Sequence, residues 1–341
     1  MKHISSLAAI VLALGAGSGA THAQEIKLKV ADWLPLSHYT YSEGGKVFMD
    51  KATELSKGRI QFQHFPAEQL GKAKDAVALA QSGVAEIVNI APAYITEKFP
   101  LSGVVELPGI YEGSCKGSYA LAALAKPGGA LDESEYKPNG VRVLFAGALG
   151  AYRVLTAKKP INGVADFAGL KLRTAGGPMD QTAALLGANS IRLPGPDVLA
   201  SLSRGTLDGV FWPLQSVKPW GLEGALKYVT PNLSVGSFSM VYAISEKAWQ
   251  KLPADLQRVL TEAGDLATKA HCEYVDRSEV KTIEALKAGG MVQIALPDND
   301  VQKINQGYAK IHDDWAQALD KRGKPGTKVL EAFRQRVADG R

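Results

Sequence analysis

Residues 26–90 read IKLKVADWLPLSHYTYSEGGKVFMDKATELSKGRIQFQHFPAEQLGKAKDAVALAQSGVAEIVNI. Ile26 to Trp33 alternates apolar and polar side chains as a half-buried strand does, and Val47, Phe48, Ala52 and Leu55 then fall at helical spacing between Tyr41 and Ser56. Ile60 to Phe65 reads as a second strand, Lys72 to Gln81 as a helix with Ala73, Ala76, Val77 and Ala80 on one face, and Ala85 to Ile90 as a third strand. This βαβαβ order predicts an α/β fold whose sheet contains parallel strands with helices on both faces.

Beyond Ile90 a Pro/Gly-rich stretch (Pro100 to Gly113) leads to a helix at Ser114 to Ala125, and the apolar strand Val141 to Ala148 closes a first lobe. From Ala151 the pattern restarts. Arg153 to Thr156, Leu170 to Arg173, Ser190 to Leu193 and Gly209 to Phe211 read as strands, with a helical turn at Gly163 to Phe167 and helices at Met179 to Leu186 and Asp197 to Arg204. Ser237 to Ser245 has the length and alternation of a strand that crosses between lobes. Pro253 opens a helix running to Gly289–Gly290, about 36 residues and roughly 54 Å, which exceeds one domain diameter. A short strand (Met291 to Ala295) and a helix (Asp298 to Arg322) finish the chain. The expected division is residues 24–150 with 239–278 as one lobe and 151–238 with 279–341 as the other.

Residues 1–23 carry Lys2, an apolar run from Ile4 to about Ala16 and small residues before Gln24, the pattern of a secretory signal peptide cleaved after Ala23. The run is too short for a retained membrane helix, and no Cys follows the cleavage site to take a lipid. A net charge of +5 across 341 residues is too small and too scattered for a nucleic-acid footprint. Cys115 and Cys272 would meet an oxidising compartment; a disulfide between them, worth about 4 kcal/mol by loop entropy, and two buried thiols are both open readings.

Catalytic motifs are missing: no H-E-x-x-H, G-x-S-x-G or G-x-x-x-x-G-K-[ST] occurs, and the histidines His38, His64, His271 and His312 are scattered. No catalytic residue, metal site or cofactor is expected. The informative segment is GLKLRTAGGPMD, Gly169 to Asp180. Leu170 and Leu172 alternate inward, so Arg173 falls at the carboxyl end of its strand, before the Gly176-Gly177-Pro178 turn and a helix amino end. Ligands of α/β sheets bind there, and a guanidinium fork matches a carboxylate. A surface ion pair is the plainer reading of the same arginine.

Five blocks in order, GRIQFQHFPAEQLG (58–71), GALGAYRVLTAKKPI (147–161), DFAGLKLRTAGGP (166–178), LLGANSIRLPGPDVLASLSRGTLDGVFWP (185–213) and KLPADLQRVLTEA (251–263), give the chain its resemblance to the DctP-type substrate-binding proteins of TRAP (tripartite ATP-independent periplasmic) transporters. The resemblance covers essentially the whole mature chain. It implies a two-lobed periplasmic binding protein fold with crossing strands and a long lobe-spanning helix, a periplasmic location, an organic acid as ligand, and membrane permease subunits as partners. It also places Arg173 at the arginine that pairs with the substrate carboxylate, and Arg153 at a second arginine near ligand or hinge. On the first lobe it makes His38, Asn89 and Tyr94 ligand-facing candidates. A monomer is expected.

One departure sharpens the expectation. Where many members read Asp-Gly-Gln-Glu-Asn-Pro, this chain reads Asp208-Gly209-Val210-Phe211-Trp212-Pro213, so an amide gives way to an indole. That predicts a carboxylate with an aromatic or apolar tail, stacked on Trp212 with Phe211 or Tyr94 nearby. In the plainer reading Trp212 and Trp220 pack the second lobe's core, and Trp33 has the same two readings. Rival functions are ligand presentation to a sensor kinase, or an exported enzyme acting on a carboxylic acid.

Overall fold

In the computed structural model, which describes residues 25–340, the alternation of strand and helix produces two separate sheets. The expected signal peptide, residues 1–23, lies outside the described residues. The first half contributes β1 (Ile26–Ala31), α1 (Lys46–Leu55), β2 (Ile60–Phe65), α2 (Ala76–Ser82), β3 (Ile87–Ile90), α3 (Ser114–Ala125) and β4 (Val141–Ala148). The second contributes β5 (Tyr152–Thr156), β6 (Lys171–Thr174), α4 (Pro178–Leu185), β7 (Asn189–Arg192), α5 (Val198–Ser203), β8 (Gly209–Pro213) and β9 (Tyr228–Thr230). Then follow β10 (Ser239–Ser245), α6 (Glu246–Trp249), α7 (Ala254–Ala288), β11 (Val292–Gln293), α8 (Asp298–Asp320) and α9 (Gly326–Asp339).

The first sheet runs β2-β1-β3-β10-β4. β1 is parallel to β2 and β3, as right-handed βαβ crossovers require, while β10 returns antiparallel between β3 and β4. The second sheet runs β11-β9-β5-β8-β6-β7. Two chain segments join the sheets side by side: Leu149 N–H bonds Phe238 O at 2.8 Å, Tyr152 N–H bonds Gly236 O at 2.9 Å, and Val235 N–H bonds Tyr152 O at 3.0 Å. The strand expected to cross between lobes therefore does so, pairing with the β4–β5 junction.

The long helix α7 holds both cores. Leu256, Leu260, Ala263, Ala267, Cys272 and Val275 bury one stripe, which rests on β4, α1 and α3. A Cβ at Gly264 would overlap the Leu144 carbonyl, so glycine lets the helix approach the strand. Further along, Ile283 and Leu286 pack on the second core cluster, which includes Val198, Leu202, Val210 and Trp212. Cys115 and Cys272 are joined by a disulfide, tying the start of α3 to α7. Asp276, one turn beyond Cys272, accepts the Ser114 and Cys115 N–H groups at the same helix start.

Several elements depart from the sequence reading, the four-residue α6 among them. Tyr41–Gly45 forms a wide π-helical turn rather than the start of α1, because Gly44 and Gly45 press against Phe145 and Tyr242 with no room for a Cβ. β9 was not anticipated; its three residues carry too little pattern to register. The amphipathic α9 was also missed, behind Gly323 and Pro325. Its Val329, Leu330 and Phe333 are buried, and it lies on α3 and α8, with the Phe333 ring 6.0 Å from Tyr111. The tail 326–339 thus lies against both α3 of the first lobe and α8, which offer the apolar surface its stripe needs.

Because the Cys115–Cys272 bridge closes a loop of 157 residues, replacing both cysteines with serine should cost about 2–5 kcal/mol. Denaturant unfolding of the double variant against the oxidised wild type would measure it; equal midpoints would show the bridge to be energetically idle.

Candidate functional site

Arg173 is the largest fully buried side chain among the described residues, at 0 % exposure. It lies on β6, whose partners are β7 and β8, and it precedes Gly176 (φ +106°) and Gly177 (φ +58°). Those left-handed dihedrals suit glycine, and they turn the chain from the strand into α4. The guanidinium donates from Nε to Leu193 O at 2.8 Å, from Nη1 to Phe211 O at 3.4 Å and from Nη2 to the Tyr94 hydroxyl at 3.2 Å. Its carbon sits 4.7 Å from the centre of the Trp212 ring. Three of the five N–H groups are thus used and two remain.

Among the described residues no carboxylate lies within ion-pair distance of Arg173. Glu106 is the acid whose charge would act on it, and Glu106 is fully buried, with one oxygen bonded to the Ser239 hydroxyl and the other without a partner. Burial lifts its pKa to about 8, against the downward pull of Ser239 and of Arg173. At neutral pH it is chiefly protonated, so the arginine charge is met only by carbonyls, a hydroxyl and an indole face. An uncompensated buried cation is costly, and a bound anion relieves that cost.

Tyr94, on the helical turn after β3, reaches across from the first sheet. Its hydroxyl accepts from Arg173 and, at 2.9 Å, from Gly195 N–H. With both acceptor positions taken, its own proton is left to donate. His38 crosses the same gap: Thr40 N–H donates to its Nδ1 at 3.2 Å, which puts the ring proton on Nε2, 3.0 Å from the Ser216 hydroxyl. Burial and the neighbouring His271 lower the His38 pKa to about 3, so the ring is neutral. Trp33 of the first lobe stacks on Trp220 of the second, 6.1 Å apart and 13° from parallel.

Around these contacts lies a cleft walled by Trp33, Tyr94, Tyr152, Trp212, Trp220 and Phe238, with His38, Thr40 and Ser216 at its polar edge. Its volume is about 20 Å³, against roughly 10–15 Å³ needed by one water. Closed in this way it admits water but no organic acid. A wider open groove of about 1180 Å³ runs beside α7, with Lys218, Lys227, Arg277 and Lys281 on its walls, and none of the expected site residues lines it.

The structure brings Arg173, Tyr94, His38 and Trp212 together and separates three other candidates. Phe211 alternates with Trp212 along β8, so its ring enters the core and only its carbonyl meets Arg173. Neither arginine lines the cleft itself: Arg173 lies behind it, against the lining residues Tyr94 and Trp212, whereas Arg153 is paired with Glu279 of α7 at 3.0 Å. Asn89 donates to Asp32 at 2.8 Å, in a buried cluster where Asp32 also accepts from Leu34 N–H and the Tyr242 hydroxyl. That cluster ties β1, β3 and β10 together below the cleft. Sequence reading missed Tyr152, Phe238, Thr40 and Ser216. Tyr152 was next to the quoted Arg153, but no local signal distinguishes a cleft aromatic from a core one.

The family described as "DctP: Bacterial extracellular solute-binding protein, family 7" matches residues 32–318, so the chain belongs to it. It is a solute-binding receptor of the TRAP type. A solute-binding protein of Roseobacter denitrificans is 28% identical over 77% of this chain and 80% of its own. The sialic acid-binding periplasmic protein of Vibrio cholerae is 25% identical over 87% and 91%. Among solved structures, a TRAP solute-binding protein of Rhodoferax ferrireducens in complex with copurified benzoate superposes with a TM-score of 0.84, at 26% identity over 92% of this chain and 98% of that one.

The buried titratable groups set opposite pH dependences. The His38 and His271 pKa values, both about 3 against 6.5, make stability fall as pH drops from 6.5 towards 3, because the unfolded chain binds protons that the fold refuses. Glu106, about 8 against 4.5, makes stability fall as pH rises from 4.5 through 8, because the fold retains a proton that the unfolded chain loses. Melting temperatures between pH 3.5 and 8.5 should therefore flatten on the acid side in His271→Gln and on the alkaline side in Glu106→Gln. Unchanged slopes would place the titration elsewhere.

Proposed function

We propose that the protein captures an aromatic carboxylate in the periplasm, after cleavage of its signal peptide, and delivers it to a TRAP membrane permease. The observation that carries this reading is the buried Arg173 guanidinium with no carboxylate partner, roofed by the Trp212 ring. The ligand carboxylate takes the two free guanidinium N–H groups and the Tyr94 hydroxyl proton. Its ring lies among Trp33, Trp212 and Trp220 in place of the direct Trp33–Trp220 contact.

Capture requires opening first, since the closed cleft has room for no more than water. The bonds Tyr94–Arg173, Tyr94–Gly195 and His38–Ser216 break as the lobes rotate about the paired segments 149–152 and 235–238. The lobes then close again on the ligand, and it stabilises the closed state by the contacts it adds there. Micromolar binding needs about −8 kcal/mol. Charge-assisted bonds of about 1.5–3 kcal/mol each and burial of an aromatic face supply that after ordering costs. The benzoate carried by the Rhodoferax ferrireducens protein belongs to this class of ligand.

Mature protein refolded to strip carried-over ligand should show a large upward melting shift with benzoate-type acids and a small one with sugar acids and C4-dicarboxylates. Arg173→Ala should abolish the shift, and Tyr94→Phe should weaken binding about tenfold. A large shift with dicarboxylates or sugar acids alone would reject the aromatic class while leaving the binding role in place.

A further inference from the structure

Two tryptophans that line the cleft carry indole N–H groups without a partner. Trp33 Nε1 and Trp212 Nε1 are both buried and unbonded, on side chains only 7 % and 3 % exposed. They come from opposite lobes, and each lies beside one half of the anion anchor: the Trp212 ring is under the Arg173 guanidinium, and the Trp33 ring meets Tyr94 edge-on at 5.5 Å. An indole nitrogen only donates, so neither orphan can satisfy the other, and each needs an acceptor lone pair. Trp220, in the same wall, has no buried unpaired N–H.

Faces for an aromatic ring are already available from Tyr152, Phe238 and Trp220, so stacking alone gives no reason to bury two unpaired donors. A carboxylate held by Arg173 and Tyr94 uses its oxygens there. On this basis we propose that the ligand is an oxygenated aromatic acid, with a hydroxyl or oxo group besides its carboxylate, and that the Trp33 and Trp212 indole N–H groups are the donors that select it. The proposal rests on the aromatic-carboxylate reading above and names the members of that class the cleft prefers. A site built to bond a ligand oxygen rejects the analogue lacking it, because its own buried donors are then left unpaired.

Four probes separate the outcomes: benzoate against 3-hydroxybenzoate, and phenylacetate against mandelate, which place the added oxygen on the ring or beside the carboxylate. Calorimetric titration is paired with proton–nitrogen spectra of protein labelled at its tryptophans, whose five indole signals are assigned from single Trp→Phe variants. In at least one pair the oxygenated acid should bind about tenfold tighter or more. With that acid the Trp33 and Trp212 indole protons should move downfield while those of Trp249 and Trp315 stay in place. Trp33→Phe and Trp212→Phe should lose the discrimination but still bind the parent acid, and the wild-type spectra decide the matter if either variant fails to fold. Equal affinities within both pairs and unmoved indole signals, with all binding abolished in Arg173→Ala, would overturn the proposal and leave the arginine anchor standing. No binding of any of the four would overturn the aromatic-carboxylate reading and this proposal with it.

Discussion

A guanidinium removed from water without a counter-charge is the constraint around which the two lobes are arranged. Arg173 has no exposed surface, and the acid within electrostatic reach, Glu106, is held chiefly neutral by its own burial. The charge is therefore partly satisfied by whatever faces it: two carbonyls on its own lobe, the Trp212 ring, and a tyrosine hydroxyl delivered from the other lobe. Each is weaker than a carboxylate. In the proposed reading the closed state is held by contacts that a ligand carboxylate would improve upon, and this difference would let the ligand bias the equilibrium between open and closed forms.

The architecture supports that device through rigid parts and one compliant seam. Each sheet is internally bonded, and the first is further fixed by the buried Asp32–Asn89–Tyr242 cluster. α7 runs behind both cores, fastened to α3 by the disulfide and by Asp276. The seam is the short paired stretch 149–152 with 235–238, where few bonds join the sheets. The contacts across the mouth of the cleft, Tyr94 with Arg173 and Gly195, His38 with Ser216, and Trp33 on Trp220, are few and are made by side chains. Domain closure of the hinge type has this distribution of stiffness.

Much of the fold was legible in the chain because its elements carry strong periodicity. β2, α3 and β4 have the bounds the pattern predicts, and α7 runs from Pro253 to the Gly289–Gly290 pair as its caps indicate. Of the elements that escaped, β9 and α6 are short, with three and four residues, while the amphipathic α9 follows a Gly-Lys-Pro-Gly break that reads as the end of the helical pattern. The π-helical turn at Tyr41–Gly45 depends on what Phe145 and Tyr242 occupy, which no local pattern records.

The sequence by itself determined the fold class, the family and the position of Arg173 at a strand end before a glycine turn, because backbone periodicity and turn chemistry are properties of neighbouring residues. It also singled out Trp212 as a departure from the pattern that the resemblance implies. Only the tertiary structure decided which candidates share a cleft. Strand alternation turned Phe211 into the core one residue from Trp212, an acid 126 positions away claimed Arg153, and Asp32 claimed Asn89. Whether a polar side chain is free to meet a ligand depends on the partners that folding brings to it from distant parts of the chain, and that information becomes explicit only when the sheets are assembled.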